Sequence, residues 1–228
     1  MPLRAGATPR GRKRPCRAAR VSTGWSDGRA AAIRRLNRPG GRATLRAMPH
    51  FERRVPDGDT HERDVCVTCG FIAYQNPKIV VGSVVVSDDG RVLLCRRAIE
   101  PRAGFWTLPA GYMEFGETCA EAARREAREE ANAELEIEGV LAIYTIARIG
   151  QVQVIHRARF ARPGFSPGEE TLETRLFAWE DIPWAEIAFP SVHWALRAWH
   201  AGRAAPLGAP SGNPPEDARG MKPLPHGA

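Results

Sequence analysis

Glu117, Glu126, Glu129 and Glu130 are the residues of this chain best spaced to do chemistry, and Arg125 stands among them. On a helix, successive residues turn by about 100°, which gathers Glu126, Glu129 and Glu130 into one arc and leaves Ala120, Ala127 and Ala131 on the other side. Glu117 comes just before that helix, where the chain can fold it back towards the same carboxylates. Carboxylates at such close quarters repel and raise one another's pKa unless a divalent cation sits among them. An all-oxygen donor set suits hard Mg²⁺ or Mn²⁺. Arg125, four residues from both Glu121 and Glu129, can hold that side of the cluster in place.

The element that must present these groups is a helix beginning at Cys119. Thr118 and Glu121 have the spacing of a capping box, and Asn132 suits the left-handed residue that closes a helix near Ala131. Its alanine side can press against a sheet. Before it, Lys78 to Val86 reads as a buried β-branched strand, Ser87 to Gly90 as a turn, Arg91 to Arg96 as the returning strand, and Phe105 to Leu108 as a short strand. That strand delivers the chain to Pro109-Ala110-Gly111, where Gly111 allows a tight bend. After the helix, Ile137 to Ala147 and Gln151 to Phe160 read as a hairpin whose second strand is covered on both faces. Arg162 to Thr174 reads as a loop carrying Glu169, Glu170 and Glu173, Arg175 to Trp179 as a strand, and Ser191 to His200 as a helix with Val192, Ala195, Leu196 and Trp199 on one face.

The net charge of +7 invites a nucleic-acid partner until the charge is located. Residues 1–47 hold thirteen Arg and Lys against Asp27 alone, a local +12; the remainder carries 20 basic and 25 acidic residues, a net of −5. The basic character therefore belongs to residues 1–47, which read as a disordered extension or as residues preceding a true start at Met48. Residues 201–228, with six Pro and five Gly, read as a disordered tail. The longest apolar run, Ile79 to Val86, is too short to span a bilayer, so no membrane partner is expected. Five cysteines without a framework spacing fit a reducing, cytoplasmic setting. Cys66-Val-Thr-Cys69-Gly70 is half of a zinc ribbon; four ligands are needed to close such a site, so Cys66 and Cys69 are zinc candidates and, alone, read as a metal-free knuckle.

The segment from Gly111 onward separates the helix from an ordinary solvated Ala/Glu/Arg helix. Gly-x5-Glu-x7-Arg-Glu-x2-Glu-Glu, at Gly111, Glu117, Arg125, Glu126, Glu129 and Glu130, resembles the Nudix box, the signature of the Nudix hydrolases. The departure is Asn132, where the family pattern has Gly. Cys66 to Gly82 and Gly104 to Tyr112 further resemble the zinc-ribbon-type branch of that family, which includes the plant FAD diphosphatases, and the likeness runs from about Arg53 to Leu196.

The resemblance implies an α/β fold, an α/β/α sandwich around a mixed sheet, with a partial zinc-ribbon-like segment at 48–76 and the Nudix domain at 77–200. It implies metal-dependent hydrolysis of a phosphoanhydride bond in a nucleoside diphosphate linked to another group. FAD or ADP-ribose leads; nucleoside triphosphates, dinucleoside polyphosphates and a non-cleaving nucleotide sensor are the alternatives. Glu126, Glu129 and Glu130, with the Ala110 carbonyl and support from Glu117, would hold Mg²⁺ or Mn²⁺. Family members often recruit a base from a distant loop, and Glu173 is the first choice, with Glu170 second and Glu126 an alternative base as well as a ligand. Arg96 and Arg97 end a strand where their guanidiniums could reach phosphates; Trp106, Phe105 and Tyr144 could stack on an adenine or flavin ring. The expected partner is a nucleotide rather than a nucleic acid, with homodimerisation left open.

Overall fold

The computed structural model describes residues 50–222, so the expectations for residues 1–47 lie outside the described residues. These residues divide into two compact units between Gln75 and Asn76.

The first unit is a three-stranded antiparallel sheet of β1 (Phe51–Arg54), β2 (Arg63–Cys66) and β3 (Ile72–Ala73), in that order. Asp59 fixes the turn between β1 and β2: it accepts from Arg63 Nε at 3.0 Å and from the amides of Thr60 and His61 at 2.7 and 3.1 Å. The Arg63 guanidinium and those two amides pull its carboxyl down to about 2. The Cys66 to Gly70 knuckle joins β2 to β3, closed by Gly70 N–H to Cys66 O at 2.8 Å.

The second unit is built on β4 (Lys78–Val86), whose side chains alternate between two helical layers. The remaining elements are β5 (Val92–Arg97), β6 (Trp106–Thr107), β7 (Ala110–Tyr112), α1 (Cys119–Ala131), β8 (Leu135–Ile146), β9 (Gln151–Phe160), β10 (Thr171–Phe177) and α2 (Pro190–Gly202). The sheet runs β10-β5-β4-β9-β8, with β6 on β5 and β7 on β4. The β4–β9 pair is parallel and the others are antiparallel, so the sheet is mixed. Val81 and Val85 of β4 face Ala122, Ala123, Ala127 and Ala131 of α1, whereas Val84 faces Val192, Ala195, Leu196 and Trp199 of α2. This is the expected α/β/α sandwich, and the small side chains of α1 let it lie close against the strands.

β4 turns back into β5 as the sequence predicts, and the way the two part makes the site: they meet at Val86 and Val92 and then diverge. The opening is filled by β6, paired to Cys95 and Arg96, and β7, paired to Val80, Val81 and Gly82. Ala110 and Gly111 are thereby held within the sheet directly beneath α1. Elsewhere, β10 begins at Thr171, so Glu173 lies on a strand opposite Arg96 rather than in the loop expected over 162–174. β9 is an interior strand, with Val154 packed towards α1 and Ile155 towards α2.

The tail expected beyond residue 200 is also corrected as far as it is described. Ser211 bridges β8, accepting from Ile143 N–H at 2.9 Å and donating its amide to Leu141 O at 3.0 Å. Asn213 answers both backbone groups of Thr145, at 2.8 Å each, and Ala147 N–H reaches Arg219 O at 3.0 Å. The strap forms only one short 3-10 turn, Pro215–Asp217, but the outer edge of β8 offers amides and carbonyls that it can satisfy. Each of these bonds nets about 1 kcal/mol before the cost of ordering the strap. Deleting residues 205–228 should therefore lower the melting temperature modestly and, with an edge uncovered, produce concentration-dependent association in light scattering. A truncated protein matching the full chain in both would show that the strap is not needed to cover β8.

Candidate metal and catalytic site

The helix that carries the carboxylates is closed locally at both ends. Thr118 Oγ1 accepts from Glu121 N–H at 3.2 Å while Glu121 accepts from Thr118 N–H at 2.7 Å, the reciprocal capping box. At the other end Asn132 takes the left-handed conformation, φ 47° and ψ 31°. The buried face is Ala122, Ala123, Glu126, Ala127 and Ala131, so Glu126 lies on the sheet-facing side and Ala120 does not belong to it. Gly111 explains how a carboxylate fits there: a Cβ on it would come within 2.3 Å of Glu126 Oε2.

Arg125 gathers three of the four carboxylates. Its guanidinium donates to Glu117 at 2.8 and 3.1 Å, to Glu126 at 2.7 Å and to Glu129 at 3.0 Å, and to Tyr112 O at 2.9 Å. Glu121, an anticipated Arg125 partner, is taken by the cap instead. The Arg125 guanidinium holds the Glu117 carboxyl below its usual range, aided by the Glu114 amide. Burial raises Glu126 despite Arg125 beside it, and Glu129 and Glu117 add to the rise.

Glu130 stands apart. It accepts from Ala110 N–H at 2.9 Å, and burial pushes its carboxyl up to about 8; the charge of Glu126 adds, Arg97 opposes, and Glu170 adds again. Among the described residues no three His, Cys, Asp or Glu side chains converge as a ready-made coordination cluster. Arg125 is the positive charge that these carboxylates share.

This donor set fits a hard divalent cation. The candidate ligands are carboxylate oxygens, and burial disfavours the charged form of Glu130, a penalty that a bound cation would offset. Zinc in the first unit does not fit on what is described. Cys66 Sγ accepts from the Thr68 and Cys69 amides, which lowers its pKa as a thiolate site would need, but no third or fourth ligand joins the pair among the described residues.

Other sequence candidates divide sharply. Trp106 is 5 % exposed and edge-on to Phe177 with centroids 5.0 Å apart; Tyr144 is 1 % exposed and edge-on to Trp194 at 5.4 Å. Both are core, not stacking platforms, because their strands face the α2 layer. Phe105 lies under the Arg102 guanidinium, 3.7 Å from the ring centroid. Arg96 donates to Gly104 O at 2.8 Å and lies 3.9 Å from Glu173, whereas Arg97, bonded to Pro101 O at 2.9 Å, also acts on Glu130. Glu173 shares the β10 face of Phe177, the α2 side, whereas it is the charge of Glu170 that reaches Glu130. The structure adds residues the sequence reading missed. Tyr112, two residues after Ala110, is exposed; Lys78 Nζ lies 5.1 Å from its ring centroid, its hydroxyl accepts from Gln151 at 3.1 Å, and Gln153 donates to Gln151 at 3.2 Å. The only sequence signal for this group was the 2-residue spacing of Gln151 and Gln153.

Comparison with known proteins identifies the family. The NUDIX domain family matches residues 76–199, and the Nudix N-terminal zinc-ribbon family matches residues 49–75. The crystal structure of a NUDIX hydrolase from Nitrosomonas europaea is 42% identical, with a TM-score of 0.69, covering 74% of this chain and 97% of that one. An ADP-ribose pyrophosphatase of Methanocaldococcus jannaschii is 33% identical over 72 residues, 32% of this chain and 42% of its own length. A human 8-oxo-dGDP phosphatase is 44% identical over 69 residues, 30% of this chain and 21% of its own length. The chain thus spans less than half the length of these two curated relatives. A family match over more than half the chain, together with the carboxylate helix seated on the β7 wedge, places the protein in the Nudix hydrolase family.

Proposed function

We propose that this chain hydrolyses the diphosphate of an adenosine 5′-diphosphate joined to a second group, with ADP-ribose and FAD as leading substrates. The observation that carries the reading is the row of Glu126, Glu129 and Glu130 on the last turns of α1, with Glu126 lying over Gly111 and Glu130 accepting from Ala110 N–H. Mg²⁺ or Mn²⁺ bound there would neutralise the diphosphate and polarise its P–O bonds. Glu126, Glu129 and Glu130 would hold it, with Glu117 retained by Arg125 as support. Arg97 is placed to answer a phosphate oxygen. Glu170 is the base in this reading, its carboxylate accepting the proton of the water that attacks phosphorus as the anhydride bond breaks. The name of the archaeal relative supports ADP-ribose, and Tyr112 with Lys78, Gln151 and Gln153 offers an exposed ring beside amides able to pair with a purine edge.

The test is a panel of ADP-ribose, FAD, NADH, diadenosine polyphosphates and deoxynucleoside triphosphates with Mg²⁺ or Mn²⁺, wild type beside Glu129→Gln and Tyr112→Ala. The expected products are AMP with ribose 5-phosphate or with flavin mononucleotide. Glu129→Gln should lose on the order of 10²-fold or more in kcat. Tyr112→Ala should raise KM about tenfold with kcat little changed, from the ~1–3 kcal/mol that a base–aromatic stack contributes. A wild type that leaves every compound intact would defeat the proposal.

A further inference from the structure

Asn132 meets the stereochemical demand of its position no better than Gly would, since a left-handed residue is what Gly adopts without strain. Its side chain does something a Gly cannot. Nδ2 lies 3.2 Å from Ser166 O, 3.1 Å from Ser166 Oγ and 3.0 Å from Pro167 O, three oxygens that orient the carboxamide with its nitrogen towards them. The same turn is fitted to the helix end by its backbone. Ser166 N–H donates to Ala131 O at 2.9 Å and Gly168 N–H to Glu130 O at 3.0 Å, which answers two of the carbonyls a helix leaves open. Gly168 is so close that a Cβ on it would come 1.7 Å from Glu129 O. The chain then runs directly into Glu169 and Glu170, with Thr171 N–H bonded to Gly168 O at 3.1 Å and Ala98 N–H to Glu170 O at 2.8 Å.

We propose that Asn132 is a positioning residue whose carboxamide clamps the Ser166–Gly168 turn onto the end of α1 and so fixes where the chain leaves that turn into Glu170. The distances place a loop some 34 residues away in sequence under the control of the residue that closes the carboxylate helix. The role assigned to Glu170 rests on the proposed hydrolysis; the clamp itself does not.

The experiment compares wild type with Asn132→Gly, which keeps the left-handed backbone, and Asn132→Asp, which keeps the shape but has no N–H to give. Amide hydrogen exchange, thermal unfolding, Mn²⁺ affinity, kcat and KM are measured for each. Exchange at Ser166, Gly168 and Thr171 should quicken about tenfold or more in both variants, while Mn²⁺ affinity stays within about twofold. kcat should fall on the order of tenfold to a hundredfold with KM nearly unchanged, as for a catalytic group displaced without loss of binding. Unchanged exchange in both variants overturns the clamp. Quickened exchange with unchanged kcat overturns the positioning role. If the wild type hydrolyses no nucleotide at all, the proposed function fails, and the exchange result alone decides the clamp.

Discussion

In EDTA at pH 8, Glu130→Gln should melt at a higher temperature than the wild type, and the same variant should be inactive. Glu130 is raised from 4.5 to about 8 in the folded protein, chiefly by burial. Below about pH 4.5 the group is protonated in both states and costs nothing. As pH rises towards 8 the unfolded chain releases the proton while the folded chain keeps it, so the folded state is progressively disfavoured. At about 1.36 kcal/mol per pKa unit the full effect is at most about 5 kcal/mol, and relaxation of the site will reduce it. Gln removes the titration and still accepts the Ala110 N–H through its amide oxygen. The stabilisation should therefore grow between pH 5 and pH 8 and vanish at pH 4. A cation requires the same proton to leave, so the apparent Mn²⁺ affinity of the wild type should tighten with pH over that interval. Equal melting temperatures at pH 8, or an Mn²⁺ affinity flat from pH 5 to pH 8, would show that Glu130 does not carry this proton.

Arg125→Ala should do the opposite to stability. One partly buried guanidinium answers Glu117, Glu126 and Glu129 together with the Tyr112 carbonyl. Removing it leaves three carboxylates facing one another, two of them largely buried and Glu129 with 58% of its side chain exposed. Breaking a buried pair costs about 3–5 kcal/mol and an exposed one under about 1, so a loss of about 3 kcal/mol is expected for this mixed network. In a domain of this size that is roughly 6–12 °C in melting temperature. The Glu117 part has a definite pH sign. Its folded pKa is lowered from 4.5, so the stabilisation is present above that value and is lost as pH falls through the folded pKa. Mn²⁺ should recover more stability in Arg125→Ala than in wild type, because the cation takes over the charge that Arg125 supplied. A variant as stable as wild type in EDTA, or indifferent to Mn²⁺, would sink the idea that Arg125 stands in for a cation.

The capping box at Thr118 and Glu121 and the left-handed Asn132 were legible because each depends on residues within a few positions of one another. The two helices and the long strands were legible for the same reason, from apolar spacing. The return of β4 into β5 was legible in the turn at Ser87–Gly90, but such a turn reports only where the chain reverses, not that β6 and β7 take up the ladder positions further along. Trp106 and Tyr144 were misassigned because an aromatic at a strand end has the same sequence context whether the α2 layer covers it or solvent does.

By itself the sequence determined the chemistry on offer: carboxylates at helical spacing, a glycine beneath them and a cap at each end, all set by local backbone geometry. Where these groups stand was decided only in three dimensions. Arg125 became the hub of Glu117, Glu126 and Glu129, while Glu130 was seated on the Ala110 amide, where the charge of Glu170 reaches it. Charge and burial act through space, and the chain from the end of α1 to Glu170, residues 132–169, reaches that space only by way of the β8–β9 hairpin and the seat at Asn132.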